Sequence, residues 1–384
     1  MLTQFQSYPF EKLRALLSGI TPPKIPPITL TIGEPQFQTP QNIQLSLKEN
    51  TPLLNKYPRS SGEEYLINAQ LAFIAHRYGI QLNPQQIIPT FGTREVLFNF
   101  PQFYLFGTQN PTIAYPNPFY QIYEGAAIAC RAQTILMDLT PQNAFKPSLQ
   151  SLLANPNKPQ IVILNSPNNP TGSVLELDEL IEWVQKALEY DFVILSDECY
   201  SELYVDTKPT SILEASLKAG NTNFKNILAL NSISKRSSAP GLRSGFIAGD
   251  SDILKAYGLY RTYIGCAIPL PLQKAAACAW EDFHSPKQSR AIYAENLRVA
   301  QKIFPDIHIS PYTFYVWLNV GDDEEFCKYI YATEGISVLP GSFLGRNGVG
   351  KGYVRLALVY DTPTITDTLK HIRTSLQNFQ KIHK

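Results

Sequence analysis

A lysine set directly behind an aliphatic run, with serines before it and an arginine after it, suits carbonyl chemistry beside an anion. Lys235 stands in Ser232-Ile233-Ser234-Lys235, and Arg243 follows eight residues later in Pro240-Gly241-Leu242-Arg243-Ser244-Gly245. At the end of a buried strand a lysine loses water, which favours its neutral amine and allows a Schiff base with a carbonyl. Two serines and a guanidinium nearby suit a phosphate. Upstream lies Asp197, in Ser196-Asp197-Glu198-Cys199-Tyr200. A carboxylate in that position either caps a helix or pairs with a protonated ring nitrogen. Tyr200, three residues on, is spaced to donate to an oxygen of the same ring.

Two further motifs fit the same chemistry. In Asn165-Ser166-Pro167-Asn168-Asn169-Pro170-Thr171-Gly172 the closely spaced prolines impose a fixed turn, open to cis bonds, that can aim an asparagine amide at a ligand oxygen. Gly92-Thr93-Arg94-Glu95 ahead of Val96-Leu97-Phe98 is a glycine turn opening a helix, whose free N–H groups attract anions. A carboxylate opposite a pyridine nitrogen, a lysine for the carbonyl and a phosphate cradle together point to pyridoxal 5′-phosphate, which serves as an electron sink.

The elements that must hold these groups are legible as short aliphatic runs ending in polar residues: Thr112 to Tyr115, Ile161 to Leu164, Phe192 to Leu195, Ile227 to Leu230 and Phe246 to Ala248. They have the character of strands buried on both faces. Between them, Leu177, Leu180, Ile181, Val184 and Leu188 recur at helical spacing, predicting a helix over Leu177 to Glu189. Such alternation indicates a doubly wound α/β sheet, whose ligand site forms at the carboxyl ends of the strands. From about Ala291 the pattern changes to a helix, then Phe314 to Leu318, then Tyr353 to Leu358, as expected of a second, smaller α+β unit. The proline-rich segment Pro22 to Pro40 is expected to pack with that unit or to bridge the two.

Composition narrows the function classes. With 33 basic and 32 acidic residues the net charge is +1, leaving no basic surplus for a nucleic-acid backbone. The 44% hydrophobic and 17% charged content is that of a globular chain rather than a disordered one. The five cysteines form no CxxC pair and no zinc-ligand spacing, so a reducing compartment and no metal are expected. Neither a signal-peptide run nor a membrane-spanning stretch is apparent, and a cytoplasmic location is the expectation.

Taken in order along the chain, Gly33-Glu34-Pro35, Tyr57 to Gly62, Gly92 to Glu95, Asn169 to Gly172, Asp197 to Tyr200, Ser232 to Gly245 and Arg355 resemble the class I and II aminotransferases of the type I pyridoxal-phosphate fold. The resemblance implies a large cofactor-binding domain over 46–285, with a mixed, mostly parallel seven-stranded sheet between helices. A small C-terminal domain would occupy 286–384, with residues 1–45 packing against it. It also implies that Lys235 carries the cofactor and shuttles the proton, that Asp197 pairs with the ring nitrogen, and that Asn169 and Tyr200 hold the ring's phenolate oxygen. Thr93, Arg94 through its backbone, Ser232 and Arg243 would hold the phosphate, and Tyr120 would stack on the ring. Gly33 would let backbone approach the substrate, and Arg355 would clamp its α-carboxylate. Tyr57 would reach the phosphate of a neighbouring subunit, implying a homodimer with shared sites.

More narrowly, Tyr8-Pro9-Phe10-Glu11-Lys12-Leu13-Arg14, Ile32-Gly33-Glu34-Pro35 and Ser234-Lys235-Arg236-Ser237 are similar to the bacterial succinyldiaminopimelate aminotransferases. These exchange the amino group of glutamate with the ketone of N-succinyl-2-amino-6-oxopimelate in lysine and peptidoglycan precursor synthesis. Such a substrate needs a second cation for its distal carboxylates, with Arg59, Arg94 and Arg261 as candidates. Phe91 and Tyr65-Leu66-Ile67 depart from the family pattern. Competing expectations are an aspartate, alanine or aromatic/kynurenine aminotransferase, or a carbon–sulfur β-lyase on the same fold. A transcription regulator's ligand-sensing half would need a DNA-binding module that the segment before Gly33 is too short and proline-rich to supply.

Overall fold

The structure, a computed structural model, describes residues 5–382. Among them the strands are, in chain order, β1 (Ile28–Thr29), β2 (Ile87–Thr90), β3 (Thr112–Asn117), β4 (Gln133–Asp138), β5 (Ile161–Asn165), β6 (Val193–Asp197), β7 (Ile227–Ser232), β8 (Gly245–Gly249), β9 (Tyr315–Asn319), β10 (Ile336–Ser337), β11 (Leu339–Pro340) and β12 (Tyr353–Ala357). Seven of them form one sheet in the order β2-β8-β7-β6-β5-β3-β4. The β7-β6-β5-β3-β4 part is parallel, and β8 runs antiparallel to both of its neighbours.

Strand alternation sends successive side chains to opposite faces, and both faces are apolar. Ile227 and Ala229 join a core with Phe73, Trp183 and Trp280. Leu228 and Leu230 join another with Phe100, Tyr123 and Tyr257. This is why the parallel strands read as uninterrupted aliphatic runs.

The helix Leu177–Tyr190 follows the predicted stripe, burying Leu180, Trp183, Val184 and Ala187. Glu176 and Glu179 close its start as a capping box, and Asp191, at φ 55°, ends it in the left-handed conformation. Burying each large apolar side chain of that stripe contributes about 1.5–3 kcal/mol, so a charge at Val184 would detach the helix from its face of the sheet.

The C-terminal part forms the antiparallel sheet β11-β12-β9 over a separate core that includes Val316, Leu318, Val354, Leu356, Ile365 and Leu369. The segment Pro22 to Pro40 bridges. β1 pairs with β10 and Leu30 enters the C-terminal core, whereas Thr39 Oγ1 donates to the Ser238 carbonyl at 2.6 Å. Residue 45 falls inside the helix Gln41–Glu49, whose Ile43 packs in the large core.

Candidate active site

The carboxyl ends of β5, β6 and β7 deliver Asn165, Asp197 and Ser232 to one cavity of about 420 Å³. Lys235, Thr93, Arg94, Tyr120, Asn169, Tyr200, Arg243, Gly33 and Arg355 line the same cavity. Tyr57 does not. It is fully exposed on the surface, at 102% of its reference area.

Asp197 forms the floor. It is 3% exposed, and it accepts from Tyr123 O–H at 2.8 Å, from Cys199 Sγ at 2.8 Å and from the Cys199 amide at 3.3 Å. Burial outweighs these bonds and the nearby Lys235 charge, and holds the carboxyl above the usual carboxylate range. The Tyr123 phenol and the Cys199 thiol are pushed well up by the same burial and by the carboxylate beside them. Asn165 braces the floor, donating to the Asp197 carbonyl at 2.9 Å and accepting from the Asn169 amide at 2.8 Å. The Ser166–Pro167 and Asn169–Pro170 bonds are cis.

At the other end Ser232 caps the short helix Ile233–Arg236 through Ser234 N–H, and its hydroxyl meets Ser234 Oγ at 2.8 Å. Arg243 sits opposite, donating to the Pro240 carbonyl at 2.8 Å. Gly92 makes that approach feasible: at φ 79° it occupies glycine's region, and a Cβ there would strike the Arg243 guanidinium. The helix Thr93–Tyr104 therefore begins with its free amides facing a guanidinium and two serine hydroxyls, a cradle for a dianion.

Arg355 enters from β12. Its guanidinium is 4% exposed, donates to Asn169 Oδ1 at 2.8 Å and to the Thr31 carbonyl, and lies 4.4 Å over the Tyr315 ring. Its Nε is buried without a hydrogen-bond partner. Tyr315 also meets Tyr200, hydroxyl to hydroxyl, at 3.1 Å. Any Cβ on Gly33 would overlap the Tyr315 hydroxyl, so glycine is required there, and the Gly33 carbonyl accepts from Lys235 Nζ.

The three candidate distal cations separate. Arg261 is buried and committed to Glu95 at 3.0 Å and to the Ser60 and Pro89 carbonyls. Arg59 is a surface group near Glu63. Only Arg94 lines the cavity. With Glu95 engaged by Arg261, the Arg94 side chain turns instead to the Tyr120 hydroxyl at 2.6 Å and the Tyr8 hydroxyl at 3.1 Å.

Sequence reasoning assigns no role to Tyr123, Cys199 or Tyr315, all of which line the cavity. Tyr123 follows Tyr120 by one helical turn, a signal in hindsight. Tyr315 carries none, because it is one tyrosine of 21 and its place depends on the C-terminal sheet.

The site residues fit pyridoxal phosphate: a buried carboxylate for a ring nitrogen, an amine for the carbonyl and an anion cradle within one cavity. Comparison with known proteins agrees. The profile of the family described as aminotransferase class I and II matches residues 25–372. The aminotransferase AspB of Helicobacter pylori 26695 is 55% identical, with a TM-score of 0.94 over 97% of this chain and 99% of that one. An aminotransferase of Neisseria meningitidis Z2491 is 38% identical, with a TM-score of 0.92 over 97% and 98%. An LL-diaminopimelate aminotransferase of Syntrophobacter fumaroxidans is 28% identical over 95% of each chain. With its seven-stranded sheet, strand-end carboxylate and lysine-bearing turn, this chain belongs to the class I and II aminotransferases, which use pyridoxal 5′-phosphate.

Proposed function

We propose that the enzyme moves an amino group between glutamate/2-oxoglutarate and N-succinyl-2-amino-6-oxopimelate, as lysine and diaminopimelate synthesis requires. The observation that carries this reading is that, besides Arg243 at the phosphate cradle, two more guanidiniums line the cavity, Arg355 buried and Arg94 at the mouth, together with apolar Phe10, Ile32, Leu339 and Leu344. A long chain with carboxylates at both ends uses both cations and the apolar lining. The LL-diaminopimelate aminotransferases among its relatives act, by name, on the same seven-carbon skeleton.

Each residue has a task in this reading. Arg355 holds the α-carboxylate with a fork that fits two oxygens. Gly33 lets the backbone approach the substrate and leaves room for the Tyr315 hydroxyl. Asp197 keeps the ring nitrogen protonated, Asn169 and Tyr200 hold the phenolate oxygen, and Tyr120 covers the ring. Thr93, the Arg94 amide, Ser232 and Arg243 neutralise the phosphate. The cofactor, when bound, supplies the delocalisation that stabilises a carbanion at the substrate carbon. Lys235 Nζ then carries the proton between the two carbons that exchange it.

Tyr57, Leu54, Leu259 and Tyr263 leave large apolar surface in water. A second copy of the chain would cover it and bring Tyr57 to the neighbouring phosphate, as a homodimer. Residues from about 41 to 285 form the cofactor domain in this reading, and 286–384 the small one. Among the described residues no helix is long and apolar enough to cross a membrane.

Steady-state kinetics on glutamate, aspartate, alanine, kynurenine and succinyldiaminopimelate test the substrate. The specificity constant should be highest for succinyldiaminopimelate among the non-glutamate donors. A preference for a short or aromatic amino acid would remove this reading and leave the family unchanged.

A further inference from the structure

Behind the cavity floor lies a buried polar chain that none of the roles above uses. Asp197 and Ser232 end neighbouring strands, and the next residue after one and before the other, Glu198 and Asn231, point into the helix-covered layer that holds Tyr78. Asn231 Nδ2 donates to Ser201 Oγ at 2.9 Å and to the Tyr78 hydroxyl at 3.1 Å, while its Oδ1 accepts from Ser232 N–H at 2.7 Å. The Tyr78 hydroxyl also meets Ser201 Oγ at 3.1 Å and Glu198 Oε2 at 3.4 Å. Glu198 Oε1 accepts from Ser196 Oγ, Ser211 Oγ and Ile212 N–H at 3.0, 3.1 and 2.8 Å. Tyr78, Glu198, Ser201 and Asn231 are all buried.

Counting protons gives this chain a direction. Asn231 donates to both hydroxyl oxygens, so each hydroxyl proton must find another acceptor. The Tyr78 hydroxyl donates toward both Ser201 Oγ and Glu198 Oε2, which carries the chain from Asn231 to Glu198. Reversing the Asn231 amide would face its NH2 toward Ser232 N–H and leave two donors opposed. The Ser232 N–H therefore fixes which way Asn231 points, and Tyr78 and Ser201 join that amide to Glu198. Asn231 in turn holds the amide of the residue that caps the Lys235-bearing helix.

We propose that Asn231 is a positioning residue for catalysis, tying the Ser232–Lys235 turn to Glu198 through Tyr78 and Ser201. The inference rests on the reading that Lys235 carries the cofactor and Ser232 its phosphate. Because Glu198 follows Asp197 directly and its amide donates to the Leu230 carbonyl at 3.0 Å, one network holds the ring-nitrogen end and the phosphate end at a fixed spacing. Buried, fully satisfied networks of this kind rigidify what they touch.

The test is cofactor affinity of the apoenzyme, titrated with pyridoxal phosphate, alongside turnover. Borohydride reduction of the wild-type holoenzyme and peptide mapping come first. Label on a lysine other than Lys235 overturns the underlying reading and this proposal together. With Lys235 labelled, Asn231→Ala and Tyr78→Phe should each weaken cofactor binding and lower kcat about tenfold, the scale of leaving one buried hydrogen-bond partner unsatisfied. KM for the amino donor should change little, because Arg355 is untouched. As both variants break one chain, the double variant should be no more than about twofold worse than either single. Unchanged affinity and kcat, whatever the loss in melting temperature, would make Asn231 a structural residue only. Multiplication of the two effects would likewise overturn the network. Should Asn231→Ala fail to fold, Tyr78→Phe decides alone, since its ring keeps the edge contact with Phe73, whose centroid lies 6.2 Å away.

Discussion

The floor and the mouth of this active site are built on different principles. At the floor, Asp197, Asn165 and Ser232 sit on adjoining strand ends, and each is tied to main-chain atoms by buried hydrogen bonds. At the mouth, Arg94 is an exposed side chain steadied by the hydroxyls and rings of two tyrosines, one of them the residue before the helix Pro9–Leu16. Groups that must hold charge to within a fraction of an ångström are anchored to backbone. Groups that choose among substrates are anchored to each other. The floor should therefore fail for every substrate when altered, and the mouth for some only.

The largest expected effect is at the floor. Asp197→Asn should retain cofactor yet lose turnover on the order of a thousandfold for all amino donors, because a neutral amide does not hold the ring nitrogen protonated. Pre-steady-state turnover with glutamate and with succinyldiaminopimelate checks it. Near-normal rates would reduce Asp197 to a partner for Tyr123 and Cys199.

Behind the floor, Glu198 links folding to pH. Burial raises its carboxyl from the ordinary 4.5 to about 7, against the pull of the Ser196, Ser211 and Ile212 donors. Between those values the folded chain binds more protons than the unfolded one, so stability falls as pH rises from about 4.5 to about 7. The fall is on the order of 2–3 kcal/mol. In denaturant titrations of the apoenzyme across that range, Glu198→Gln should flatten the slope. An unaltered slope would assign the pH dependence to other groups.

The same contrast governs what the sequence discloses. Asp197, Asn169, Ser232 and Lys235 stand beside the aliphatic runs that become β5, β6 and β7, so local pattern carries both their element and their place in it. The interior course of the parallel strands is legible for the same reason, since both faces are apolar. The mouth depends on contacts across long separations. Arg261 has the same charge as Arg94, and only its burial against Glu95 and the Pro89 carbonyl disqualifies it. Tyr315 gains its role because Gly33 and Arg355 are brought to it from either end of the chain. The helix Gln41–Glu49 likewise joins the large core through its packing on the helix Leu270–Glu281, which no local signal announces.

Arg355 lies between the two regimes, a strand residue whose buried guanidinium lines the cavity. Arg355→Lys should lower kcat/KM about 10–100-fold for every amino acid, since an ammonium makes one contact where the guanidinium fork makes two. The loss should be similar for glutamate and for succinyldiaminopimelate. Unequal losses would mean that Arg355 also reads the side chain.

The smallest effect, and the sharpest test of the contrast, belongs to Arg94. Its backbone amide opens the helix Thr93–Tyr104 and survives any side-chain change, so Arg94→Gln should leave cofactor affinity within about twofold of wild type. The lost guanidinium should lower kcat/KM for succinyldiaminopimelate about tenfold, the size of one partly exposed charge-assisted contact. Alanine, with no distal carboxylate, should be unaffected. Releasing Tyr8 and Tyr120 from Arg94 costs both tyrosines a partner, but both hydroxyls lie where water or substrate can replace it. Equal losses for alanine and succinyldiaminopimelate would show Arg94 acting through Tyr120 on the cofactor, and the mouth would then share the floor's behaviour.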